Sequence, residues 1–155
     1  MSLFELLRNL LRNLFKKQAM PPVPEAVPVI HGQNMTNDEV RALLTPFTDK
    51  QWISDEVFEC MVTSNFKAFL ESNKINSKTY IVDKHDCDDY SYELIGDVTH
   101  WYPEGCIGIV WGLNANGAPH AWNFIIDENK QVVFVEPQTD AIFEPSAEKV
   151  WVMII

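Results

Sequence analysis

Three short stretches decide how this chain is read: Asp86-Cys87-Asp88-Asp89-Tyr90, Pro119-His120-Ala121-Trp122-Asn123-Phe124 and Val135-Glu136-Pro137-Gln138. The first sets a cysteine at the head of a segment whose apolar residues Tyr90, Leu94 and Ile95 recur at helical spacing. Asp86 is a natural N-cap, so Cys87 falls at the first helical position, where unsatisfied N–H groups and the helix dipole favour a thiolate. The other two stretches set a histidine at the start, and a carboxylate at the end, of successive strand-like runs rich in Val, Ile and Phe. Side chains alternate faces along a strand, so His120 and Glu136 meet only if the turn between them has the right length. A two-residue loop, Glu128-Asn129, throws them onto opposite faces. A three-residue loop, either Glu128 to Lys130 or Asp127 to Asn129, brings them to one face.

With that register, Cys87, His120 and Glu136 are expected to form a nucleophile, a base and an orienting acid. The Cys87 backbone N–H is the expected oxyanion donor, and Tyr80 is the candidate for the second. The acidic neighbours oppose the scheme, since Asp86, Asp88 and Asp89 crowd negative charge around the sulfur. The sequence requires no cofactor, but these three carboxylates are the oxygens Ca²⁺ prefers, which makes Ca²⁺ the candidate ion. Cys60, between Phe58 and Met61 in an expected helix over 55–71, and Cys106, opening a strand, are read as core thiols.

Working outward, strands are expected over 106–111, 120–127, 131–136 and 149–155, and helices before them. Thr36 with Glu39 forms a capping box for a helix through Leu44, and Thr48 with Gln51 suggests another. Helices first and an antiparallel sheet afterwards read as α+β. Residues 1–19 form an amphipathic arm, with Leu3, Leu7, Leu10, Leu11 and Leu14 on one stripe and Arg8, Arg12, Lys16 and Lys17 opposite. That arm is expected to pack on another chain or on its own domain, ahead of a membrane surface. A proline-rich linker occupies 20–33, and the α+β domain 34–155.

The chain has 155 residues, a formal charge of −10 and a pI near 4.7. That balance argues against nucleic acid as a partner. Three cysteines without CxxC spacing suggest neither a disulfide framework nor a structural zinc. No signal peptide or transmembrane run is evident, so a cytoplasmic or virion-associated location is expected.

The three stretches resemble papain-like cysteine peptidases of the small, divergent kind. The similarity is nearest to the C-terminal peptidase domain of the mushroom agglutinin family, with a looser echo of the NlpC/P60 cell-wall peptidases. It covers roughly 36–155. The resemblance implies a papain-like α+β fold, N-terminal helices packed on an antiparallel sheet, with the amphipathic helix added in front. It also implies that Cys87, His120 and Glu136 serve a thiol peptidase or amidase acting on a peptide or protein, and that calcium is required. Two departures stand out: no Gln precedes Cys87 at the papain distance, and there is no lectin domain. The competing expectation is a non-catalytic phage or bacterial assembly protein on a peptidase-like fold, with the N-terminal helix mediating oligomerisation or docking.

Overall fold

The structure is a computed structural model and describes residues 27–145 and 148–155. The expected amphipathic arm lies outside the described residues. Among them are three α-helices and eight strands. In chain order they are β1 (His31–Thr36), α1 (Asn37–Leu44), β2 (Gln51–Trp52), β3 (Val57–Met61), α2 (Thr63–Ser72), α3 (Cys87–Trp101), β4 (Ile107–Leu113), β5 (Pro119–Ile126), β6 (Val132–Glu136), β7 (Ala141–Phe143) and β8 (Lys149–Ile154). A six-stranded sheet runs β2-β8-β4-β5-β6-β7, and β1 and β3 pair separately.

The expected papain-like order, helices first and then a purely antiparallel sheet, needs correction on three counts. Strands β1, β2 and β3 are interleaved with the helices. The edge strand β2 runs parallel to β8. Helices also cover both faces of the sheet, giving a mainly β, three-layered molecule. Alternation along β5 explains the layers. Trp122, Phe124 and Ile126 point to one face, where they meet Phe134, Val40 and Leu44 of α1, and Met35 and Phe58 of the small sheet. Ile125, with Val133 and Val135 of β6, points to the other, against Phe66, Phe69 and Leu70 of α2 and Leu94 and Val98 of α3. Each such large side chain contributes about 1.5–3 kcal/mol on burial.

The long helix expected over 55–71 is two elements. Val57–Met61 is a strand, because Phe58 and Cys60 both point into the core on alternate positions, and the helix starts only at Thr63. The Thr36–Glu39 capping box is formed: the Thr36 N–H donates to Glu39 Oε2 at 2.8 Å and the Glu39 N–H to Thr36 Oγ1 at 3.3 Å. Thr48 and Gln51 start no helix. Gln51 joins β2 instead, its amide nitrogen donating to the Thr48 carbonyl at 2.8 Å. No helix of the described residues is long and apolar enough to cross a membrane.

Gly108 marks a close approach between neighbouring strands of the large sheet. A Cβ there would stand 2.4 Å from both the Ile154 carbonyl oxygen and the Phe124 ring. Gly108→Ala is expected to cost about 1–3 kcal/mol and to lower Tm by roughly 3–10 °C, read by thermal denaturation. An unchanged Tm would show that β8 and the ring yield freely.

Candidate functional site

The turn between β5 and β6 sets the site. Lys130, at φ 57°, closes a three-residue loop of Glu128, Asn129 and Lys130. The Asp127 carboxylate fixes it by accepting the N–H of Asn129 at 2.9 Å and of Gln131 at 2.8 Å. The ladder that follows pairs Asn123 with Val135 and Phe124 with Phe134, which leaves His120 and Glu136 on one face. Their side chains meet, His120 Nε2 to Glu136 Oε2 at 2.7 Å. Glu136 Oε1 also accepts the Gln138 N–H at 3.2 Å. Both side chains are about one-fifth exposed.

Cys87 occupies the first position of α3 and is partly buried. The helix is capped by Asp86, whose own N–H donates to Asp89 Oδ2 at 3.0 Å. The sulfur lies beside the backbone amide of Ala121, the residue after His120. Among the described residues no hydrogen bond joins Cys87 to His120, whose Nδ1 has no partner. Burial pushes the Cys87 thiol up, the Ala121 amide opposes this, and the negative charges of Asp86 and Asp88 add to the rise. The helix start therefore does not leave the sulfur ionised at neutral pH. Tyr80 is about half exposed, its ring stacked near Tyr90, and its hydroxyl makes no hydrogen bond among the described residues.

The carboxylates divide. Asp86 and Asp88 lie against each other, and their interaction holds Asp86 below and Asp88 above the usual carboxylate range. Donor atoms of Asp86, Cys87 and Asp88 converge within 4.8 Å, whereas Asp89 is turned back into the cap. Two carboxylates and a sulfur fall short of the six to eight oxygens Ca²⁺ takes, so this set alone does not fit calcium.

Beside the His120–Glu136 pair lies a hollow of about 180 Å³ walled by Asn114, His120, Trp122, Glu136, Phe143 and Glu148, among others. The hollow was not read from the sequence. Asn114 Oδ1 accepts the N–H of Asn116 and of Ala118, shaping the rim. Trp122 is buried, and its indole N–H has no partner among the described residues. Asn123 was also missed as a structural residue: its Nδ2 donates to the Ser91 and Gly108 carbonyls at 3.1 Å, tying α3 to the sheet.

Residues 41–155 match the family model of the ricin-type β-trefoil lectin C-terminal domain. The chain belongs to that family. No curated protein sequence matches it. Among solved structures it is similar to PSL1a in complex with E64, at TM-score 0.68 and 21% identity over 79% of this chain and 51% of that one. It is also similar to Polyporus squamosus lectin bound to Neu5Acα2-6Galβ1-4GlcNAc, a human-type influenza-binding epitope, at TM-score 0.66 and 23% identity over 79% and 49%. The chain thus spans about half the length of these lectins. Membership of a lectin family corrects the papain-like peptidase resemblance, the thiol peptidase or amidase expected from it, and its peptide or protein substrate. The phage or bacterial assembly reading gives way on the same finding.

The charge around Cys87 gives a direct test. Asp88→Asn removes one of the negative charges opposing thiolate formation, so iodoacetamide labelling of Cys87 at pH 7.5 is expected to speed up several-fold, by up to about tenfold per pKa unit. Labelling at an unchanged rate would assign the raised thiol to burial alone.

Proposed function

We propose that this chain serves carbohydrate recognition as the C-terminal module of a lectin-type protein, and that the hollow beside His120 and Glu136 seats a sugar ring. The observation that carries this reading is the lining of the hollow. It combines the Glu136 carboxylate acceptor and the His120 imidazole, set against the aromatic side chains of Trp122 and Phe143. Sugars present hydroxyls at their edges and C–H groups on their faces, and this mixture of directed polar groups and apolar walls suits them. At about 180 Å³ the hollow lies below the roughly 300–1,000 Å³ of drug-sized pockets and matches one small ring. Each oxygen of Glu136 already accepts one hydrogen bond and retains capacity for a second, from a sugar hydroxyl.

Charge narrows the ligand. Glu136 and Glu148 line the hollow and the whole chain carries −10, so an anionic sugar is disfavoured there. The galactose or N-acetylglucosamine portion of an epitope such as the one bound by the Polyporus lectin suits the hollow better than its sialic acid.

Calorimetric titration of the chain with Galβ1-4GlcNAc and with its sialylated form tests this. Saturable binding is expected for the neutral disaccharide, no weaker than for the sialylated one. Glu136→Gln removes a charge-assisted acceptor and is expected to weaken binding roughly 10–100-fold, the equivalent of about 1.5–3 kcal/mol. Absence of binding at millimolar sugar, or binding indifferent to Glu136→Gln, would overturn the proposal.

A further inference from the structure

The two cysteines remote from the candidate site lie side by side. The Glu59 N–H donates to the Glu104 carbonyl at 2.7 Å and the Cys106 N–H to the Glu59 carbonyl at 2.8 Å, a parallel pairing that sets Glu59 opposite Gly105. The next pair in that register is Cys60 with Cys106. Paired residues in a parallel ladder turn their side chains to the same face, and both thiols belong to one apolar cluster with Phe58 and Ile126. Neighbouring strands run roughly 4.8 Å apart, within the Cα separation of about 4.4–6.8 Å that a disulfide spans. Both residues are fully buried, so no reagent reaches either sulfur in the folded chain.

We infer that Cys60 and Cys106 form a disulfide when the chain folds in the presence of a low-molecular-weight disulfide, and that the bond fastens the β1–β3 sheet to the start of β4. The exchange balances without another reagent. The Cys60 thiolate attacks one sulfur of the small disulfide, forming a mixed disulfide and releasing one small thiolate. The Cys106 thiolate then displaces the second. Two protein thiols are oxidised by two electrons, the small disulfide is reduced to two thiols, and the two protons pass to the departing thiolates. The exchange takes place before the strands close over the two sulfurs, and the same balance holds if Cys106 attacks first. The bond closes a loop containing α2 and α3, so it restrains in the unfolded chain the whole layer that covers one face of the sheet.

The test uses the full chain carrying Cys87→Ser, because trypsin leaves residues 87 and 106 in one peptide. After refolding from urea in reduced and oxidised glutathione, non-reducing digestion is expected to yield peptide 51–67 joined to peptide 85–130, two mass units below their sum. The oxidised chain is expected to melt roughly 5 °C or more above the same chain treated with dithiothreitol. If refolding gives only aggregate, the same digestion of folded chain held with oxidised glutathione in sub-denaturing urea supplies the result. Free thiols, glutathione caps on separate cysteines, or a bridged chain that melts no higher would overturn the inference.

Discussion

The hydrogen bond between His120 and Glu136 depends on a turn some distance away. Asp127 holds two successive loop amides, Lys130 takes a left-handed backbone conformation, and the three-residue loop brings β6 back with Glu136 on the face of His120. One residue fewer would carry the carboxylate to the opposite face and take Phe134 out of the layer it shares with Trp122. The same register therefore builds the apolar layer around Trp122 and Phe134 and the polar pair at its rim. Disturbing the turn would cost the core and the site together.

The other half of the site is governed by opposing fields. A helix start stabilises negative charge, and α3 offers its first turn to Cys87. The acidic residues around it reverse the sign of that benefit. Asp86 caps the helix, and Asp88 lies beside both it and the thiol. Burial acts in the same direction as the carboxylates, and only the Ala121 and Asp88 backbone amides act against them. A neutral sulfur at this helix start leaves His120 and Glu136 as the hydrogen-bonded polar pair of the hollow.

Strands β4, β5, β6 and β8 and the helix beginning at Cys87 were legible in the sequence because Val, Ile and Phe runs end in strong turn residues and Asp86 is a strong cap. The hairpin register was legible only as a set of alternatives, since a turn's length depends on which residue adopts the left-handed conformation, and Lys130 carries no side-chain signature for it. The region 55–71 was misread because Phe58, Met61, Val62 and Phe66 fit helical spacing, while pairing with β1 decided that Val57–Met61 is a strand. That pairing joins residues far apart in sequence, and local periodicity cannot register it. Strand β2 was hidden for the same reason: two residues become a strand only because β8 lies alongside. The function was misjudged by a related route. Short motifs around Cys87, His120 and Glu136 describe local geometry that several families can share, and the assignment to a lectin family comes from the whole stretch 41–155.

The three cysteines show how much environment outweighs residue type. Cys106 is sealed among apolar side chains and held far above the ordinary thiol range by burial. Cys60 is equally sealed from solvent, yet Lys130 reaches close enough to offset part of the same effect. Cys87 retains some exposure but meets carboxylates where a thiolate would need cations. Ionisation therefore cannot be ranked by accessibility alone. The two buried thiols are related to each other by backbone pairing, and the accessible one to the sheet through Ala121. A cysteine count from the sequence treats the three as equals, whereas the fold divides them into a neighbouring pair and a single, partly buried residue at a helix start.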